Sequence, residues 1–156
     1  MALEIERKFL VKDRKYVEMA KESHHIRQSY LNRDPRRTVR VRMSGDDRAF
    51  LTVKGCNDGC VRNEWEYSIP AADAIEMAES LTGGWDIDKT RYIVDHDGFT
   101  WEVDEFHGHL EGLVVAEVEL TSASDAPSLP PFVGREVTGD PRYYNSALVR
   151  PCRDNA

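Results

Sequence analysis

Seven stretches of this chain alternate apolar with charged residues, position by position. In the first, Leu3, Ile5 and Phe9 fall on one side of an extended strand and Glu4, Glu6 and Lys8 on the other, with Arg7 the exception on the apolar side. Arg40 and Arg42 then stand opposite Val39, Val41 and Met43, and Leu51-Thr52-Val53-Lys54 repeats the rule. Glu64 and Glu66 face away from Trp65, Tyr67 and Ile69. Lys89 pairs with Arg91, Glu102 with Asp104, and Glu117 with Glu119. A period of two with one bulky apolar face predicts half-buried antiparallel strands.

The alternation, read with the turn signals, predicts strands near residues 2–11, 24–32, 36–44, 47–55, 61–70, 88–97, 98–107 and 112–121. Asp34-Pro35, Ser44 to Asp47, Gly55 to Gly59 and His96-Asp97-Gly98 separate several of them. A first helix is expected over Asp13 to Glu22, with Asp13 as N-cap. A second is expected from Pro70 to Leu81, stopped by Gly83-Gly84. Ser122 to Pro131 reads as a linker, followed by a short helical turn to Val133. Asp140-Pro141 reads as the N-cap and first residue of a last helix through Tyr144, Ala147 and Leu148. The fold class is therefore mainly β: an eight-stranded antiparallel barrel with a charged lumen and a few flanking helices. Closure into a barrel also removes exposed strand edges.

Charge sharpens this picture. Signs are segregated by strand, as Arg/Arg, Glu/Glu, Lys/Arg and Glu/Glu pairs, although like charges on one face repel. Solubility alone would mix them. A lumen built this way suits a polyanion bridged by metal ions. The 156 residues and 40% hydrophobic content fit one domain, residues 1–156. A net charge of −7 argues against general nucleic-acid binding. No apolar run approaches the ~20 residues that span a bilayer, and the charged start makes a poor signal peptide, so a cytoplasmic protein without membrane contact is expected. The oligomeric state is open, a homodimer included. Cys56 and Cys60 flank a loop and Cys152 lies near the tail; two thiols in one loop fall short of the roughly four ligands of structural zinc, and free thiols are expected.

These motifs resemble those of the CYTH superfamily, the triphosphate tunnel metalloenzymes. Glu4-Ile5-Glu6-Arg7-Lys8 matches its E-x-E-x-K signature. Arg40-Val41-Arg42, Leu51 to Gly55, Glu64-Trp65-Glu66, Lys89 to Tyr92, Trp101 to Asp104 and Glu117-Val118-Glu119 follow in the family's order. Asp140 to Asn145 looks like the family's closing helix. The opening Glu4 to Val11 looks most like small bacterial single-domain tripolyphosphatases.

The resemblance implies a tunnel that binds a small-molecule triphosphate with divalent metal, Mg²⁺ or Mn²⁺ and two per site. Its implied cationic residues are Lys8, Arg40, Arg42, Lys54, Lys89 and Arg91, since guanidinium forks and ammonium groups grip phosphate oxygens. Glu4, Glu6, Glu117 and Glu119 are the first metal-ligand candidates, with Glu64, Glu66 and Asp104 for a second ion or its water. Glu102 faces the same way and could instead hold a basic side chain. Direct in-line attack by water is expected, because no Ser, Cys or His stands out as a nucleophile. Glu4 and Glu6 act through metal, and Lys89 could assist proton transfer if neighbouring cations lower its pKa. Hydrolysis of inorganic tripolyphosphate to pyrophosphate and phosphate, with ATP secondary, is the favoured reading. A class IV adenylyl cyclase and a non-catalytic polyphosphate- or nucleotide-binding module are the alternatives.

Overall fold

The computed structural model describes residues 2–151, so Cys152 lies outside the described residues. The seven alternating stretches and the strand expected near 24–32 become β1 (Leu3–Val11), β2 (Glu22–Asn32), β3 (Arg37–Ser44), β4 (Arg48–Gly55), β5 (Val61–Ile69), β6 (Trp85–His96), β7 (Phe99–Phe106) and β8 (Val114–Glu119). They hydrogen-bond in the order β6-β2-β3-β4-β5-β1-β8-β7, and β7 pairs back with β6. Every pairing is antiparallel, which closes an eight-stranded barrel. At the β6–β7 hairpin, Asp97 and Gly98 adopt φ of 47° and 80°. Two positive φ values match the two-residue turn whose twist suits a hairpin.

The barrel has apolar material on its outside and at one end of its inside. Outside, Phe9, Val94, Trp101, Val103, Ala116 and Val118 pack beneath Tyr16 of α1 (Lys15–Met19) and Phe132. Also outside, Val41 and Ala49 pack against Ala74 of α2 (Ala71–Ser80). Tyr30, Phe106 and Val115 instead share the lumen face, because they pair across strands with Arg40, Lys89 and Asp104. With Ile87, Val149 and Leu148 they fill the end at which β1, β2 and β7 finish. Polar chemistry is thereby confined to the rest of the lumen.

Several expectations shift in detail. The first helix is only five residues long, because the chain must enter β2 at Glu22 to meet Ile93 of β6. β6 starts at Trp85, earlier than expected, to pair with Pro151 of the two-residue strand β10 (Arg150–Pro151). The turn leading to Val133 forms through Val133 N–H donating to Pro130 O at 3.1 Å. The chain then continues into a strand that was not expected, β9 (Val133–Glu136), laid along β1. Asp140 caps the next turn as expected, its Oδ1 accepting from Arg142 N–H at 3.0 Å. That turn is 3₁₀ (Pro141–Tyr143), and an extended Tyr144 separates it from α3 (Asn145–Leu148). Among the described residues, no helix is long and apolar enough to cross a membrane.

Candidate active site

The strands turn their charged side chains into one cavity of about 260 Å³. Seven basic residues line it: Lys8, Arg40, Arg42, Lys54, Arg62, Lys89 and Arg91. Seven acidic ones face them: Glu4, Glu6, Glu64, Glu66, Glu102, Glu117 and Glu119. The six basic positions expected from the sequence are all present, as are six of the seven carboxylates put forward as metal ligands. Asp104 is the exception. It lies 1% exposed behind the lining, its oxygens accepting from Lys89 Nζ at 2.7 Å and from Arg91 Nε and Nη2 at 2.7 and 2.9 Å. Burial pushes its pKa up, but Arg91 and Lys89 hold it far below the usual carboxylate range. Asp104 is thus occupied as an anchor for two cations. Glu102 also holds Arg91, its Oε2 accepting from Nη1 at 2.7 Å, which matches the basic-residue role left open for it.

The cations differ in how far their charge is answered. Lys54 sits 2.9 Å from Glu4 and 3.2 Å from Glu64, and Lys8 sits 3.5 Å from Glu117. Among the described residues Arg42 has no carboxylate at ion-pair distance, and its Nε donates to the neutral Gln28 Oε1 at 2.8 Å. Burial, with Arg40 and Arg91 close by, lowers its pKa to about 10. Arg40 Nε is buried without a hydrogen-bond partner. A guanidinium donor left unmet in a cavity is costly unless an anion comes to it. Lys89 is fully buried, and that burial, aided by Arg91 and Arg42 against the pull of Asp104, lowers its pKa to about 7. Neighbouring cations do act on Lys89, then, but desolvation acts more.

The acids show the complementary strain. Burial pushes Glu6 well above the usual carboxylate range, reinforced by Glu117 and Glu4. Glu64 rises to about 7 through burial and its hydrogen bond with Glu4. Glu4 itself, despite burial, is drawn down to about 2 by Lys54 and by Glu64. Glu117, likewise buried, is drawn down to about 2 chiefly by Lys8. Burial and Glu102 raise Glu119.

Several lining residues escaped the sequence reading. Arg62 lies at the start of β5, two residues before the recognised Glu64. Tyr144, Asn145 and Ser146 come from the C-terminal segment. That segment grips the lumen cations: Lys8 Nζ donates to Tyr143 O at 3.1 Å and Lys89 Nζ to Asn145 Oδ1 at 3.2 Å. The i+2 spacing that exposed Arg62 as a lumen position was available in the sequence; the contacts of Tyr144 and Asn145 were not, being purely tertiary. Cys60 also borders the cavity, and Cys56 and Cys60 are both free thiols, as expected.

The CYTH domain family model matches residues 2–144, nearly the whole described chain. The chain belongs to the CYTH family. This CYTH protein is 48% identical over 150 residues to a protein of Acetivibrio thermocellus named inorganic triphosphatase, covering 96% of this chain and 95% of that one. It is 38% identical to one of the same name from Nitrosomonas europaea, over 94% of this chain and 96% of that one. The solved inorganic triphosphatase NE1496 superposes with a TM-score of 0.65 at 37% identity, covering 95% of each chain.

The donor set of this CYTH protein fits the divalent metal its family implies. Seven basic against seven acidic side chains leave the lining near neutral, so a bound triphosphate would bring an excess of negative charge. Divalent cations beside the carboxylates would offset it. No three His, Cys, Asp or Glu among the described residues are grouped to hold an ion by themselves. A divalent ion held by one or two carboxylates together with substrate phosphates needs no such group.

Proposed function

We propose that this protein hydrolyses triphosphates, with inorganic tripolyphosphate as principal substrate and nucleoside triphosphates as secondary ones, yielding pyrophosphate and phosphate from the former. The observation that carries this reading is one cavity in which Arg40 and Arg42, with no carboxylate at ion-pair distance among the described residues, face seven carboxylates, of which Glu6 and Glu64 resist ionising chiefly through burial. A simple anion receptor has no use for so many acids. The names of the two relatives support the same substrate class.

Lys8, Arg40, Arg42, Lys54 and Arg91 bind and align the phosphate chain, the arginines through forked hydrogen bonds. One or two of Glu4, Glu6, Glu117 and Glu119, together with substrate phosphate, would hold one Mg²⁺ or Mn²⁺, with Glu64 and Glu66 serving a second; bound there, the ions would neutralise phosphate oxygens and acidify the attacking water. Lys89 lines the cavity and donates to Asp104 and Asn145, and with its pKa lowered to about 7 a share of it is unprotonated near neutral pH. It can take the proton of a water whose oxygen bonds to a terminal phosphorus as the bridging P–O bond breaks. Arg42 and Arg91 stabilise the charge that develops.

Hydrolysis in ¹⁸O-water, followed by phosphorus NMR, tests this scheme. Attack on a terminal phosphorus places the label in orthophosphate. Label in pyrophosphate alone would exclude it, and cyclic AMP formed from ATP without phosphate release would favour a cyclase.

A further inference from the structure

Arg62 belongs to no motif recognised in the sequence, yet its surroundings are those of a ligand-binding group. Of the seven basic residues lining the cavity, only Arg40, Arg42 and Arg62 have no carboxylate within ion-pair distance among the described residues. Arg40 and Arg42 are the forks assigned above to phosphate. Arg62 shares their state for a different structural reason. Its Nε and Nη2 both donate to the carbonyl oxygen of Gly55, at 3.2 and 3.0 Å, which fixes one edge of the guanidinium against β4. Two of five N–H donors are thereby used, and three are left for another partner. The guanidinium also lies 5.9 Å from the centre of the Tyr144 ring, with Lys8 Nζ at 5.9 Å from the same ring.

The neighbourhood is a closed corner of the cavity. The β4–β5 loop and the turn after β9 meet there: a Cβ added to Gly139 would lie 3.6 Å from Gly59 O. Tyr144 Oη donates to Gly139 O at 3.3 Å. A positioned cation with spare donors, held by a neutral carbonyl rather than neutralised by an acid, is an economical way to prepare an anion site. An exposed surface arginine would need neither the anchor nor the aromatic neighbour.

We propose that Arg62 is a further substrate-binding residue, which grips a phosphoryl group of the triphosphate on the side of the cavity bounded by the β4–β5 loop and Tyr144. This rests on the triphosphatase reading above. The residue binds and does not take part in bond breaking, so its loss acts on KM rather than on kcat.

The test is steady-state hydrolysis of tripolyphosphate by wild type, Arg62→Ala, Arg62→Gln, Arg62→Lys and Arg48→Ala. Arg62→Gln retains a donor for Gly55 O while removing the charge, so it stands in if the alanine variant folds poorly. The expected result is a KM raised roughly 10- to 100-fold in Arg62→Ala and Arg62→Gln, the loss of a hydrogen bond to a charged group. Arg62→Lys recovers part of it, because it keeps the charge but loses the fork. Arg48→Ala removes a charge outside the cavity lining and leaves KM unchanged. A folded Arg62→Gln with wild-type KM, or one that lowers kcat alone, overturns the inference. A wild type that neither binds nor hydrolyses tripolyphosphate overturns the triphosphatase reading and this inference together.

Discussion

Replacing Asp104 by alanine separates two roles that a lumen carboxylate can have. If Asp104 anchors Lys89 and Arg91, its loss strands buried positive charge; if it binds metal, its loss relieves a carboxylate cluster in the metal-free protein. The three charged hydrogen bonds it accepts, at 2.7, 2.7 and 2.9 Å, favour the first. Removing one partner of a buried ion pair costs about 3–5 kcal/mol. Two features place this case at the lower end. Arg91 keeps Glu102 at 2.7 Å, and Lys89, with its pKa already lowered to about 7, can shed its proton. The expected cost is therefore about 3 kcal/mol at pH 7, or a fall of roughly 6–12 °C in Tm for a chain of this size. Urea unfolding of wild type and Asp104→Ala in EDTA measures it directly. A loss below about 1 kcal/mol in EDTA, together with weakened metal binding, would refute the anchoring argument and return Asp104 to the metal ligands.

Three further outcomes follow from the same geometry. Glu64, raised to about 7, stays protonated in the folded state at pH values where the unfolded chain has ionised, so its contribution is present below about pH 4.5 and lost as pH rises through 7. The metal-free stability of wild type relative to Glu64→Gln should accordingly fall between pH 5 and pH 8, and a difference that does not change with pH would contradict this. Glu4→Gln and Glu119→Gln should each abolish metal-dependent turnover with circular dichroism unchanged; retained turnover removes them from the metal site. Arg42→Ala should raise KM roughly tenfold or more without lowering stability in the absence of substrate, since burial beside Arg40 and Arg91 already disfavours its charge; an unchanged KM would exclude it from the phosphate site.

The barrel was legible because seven of its eight strands carry a period-two pattern with bulky residues on one face. What failed to show was structure without such a pattern. Val133–Glu136 is four residues long and follows a run of prolines, so nothing local distinguishes a strand from a turn, and its pairing with β1 is decided by tertiary contact. The last helix was read as continuous from its Asp-Pro start, but Tyr144 turns extended where its side chain meets Gly139 and the lumen. In the site, alternation reveals which face a residue occupies but not its depth or its partner. Glu102 and Asp104 share a face, yet Glu102 lines the cavity and Asp104 is sealed beneath Lys89 and Arg91. Arg62 fell outside the recognised Glu64-Trp65-Glu66 motif although it obeys the same spacing. Asn145, which meets Lys89 from 56 positions away, could be found only once the chain was folded.

The most direct measurement of the central claim is phosphate release from tripolyphosphate, ATP and pyrophosphate, each with Mg²⁺, Mn²⁺ or EDTA. The account predicts rapid release from tripolyphosphate, slower release from ATP, and none in EDTA. Tight binding of tripolyphosphate without turnover under any metal condition, or turnover that survives EDTA, would contradict it.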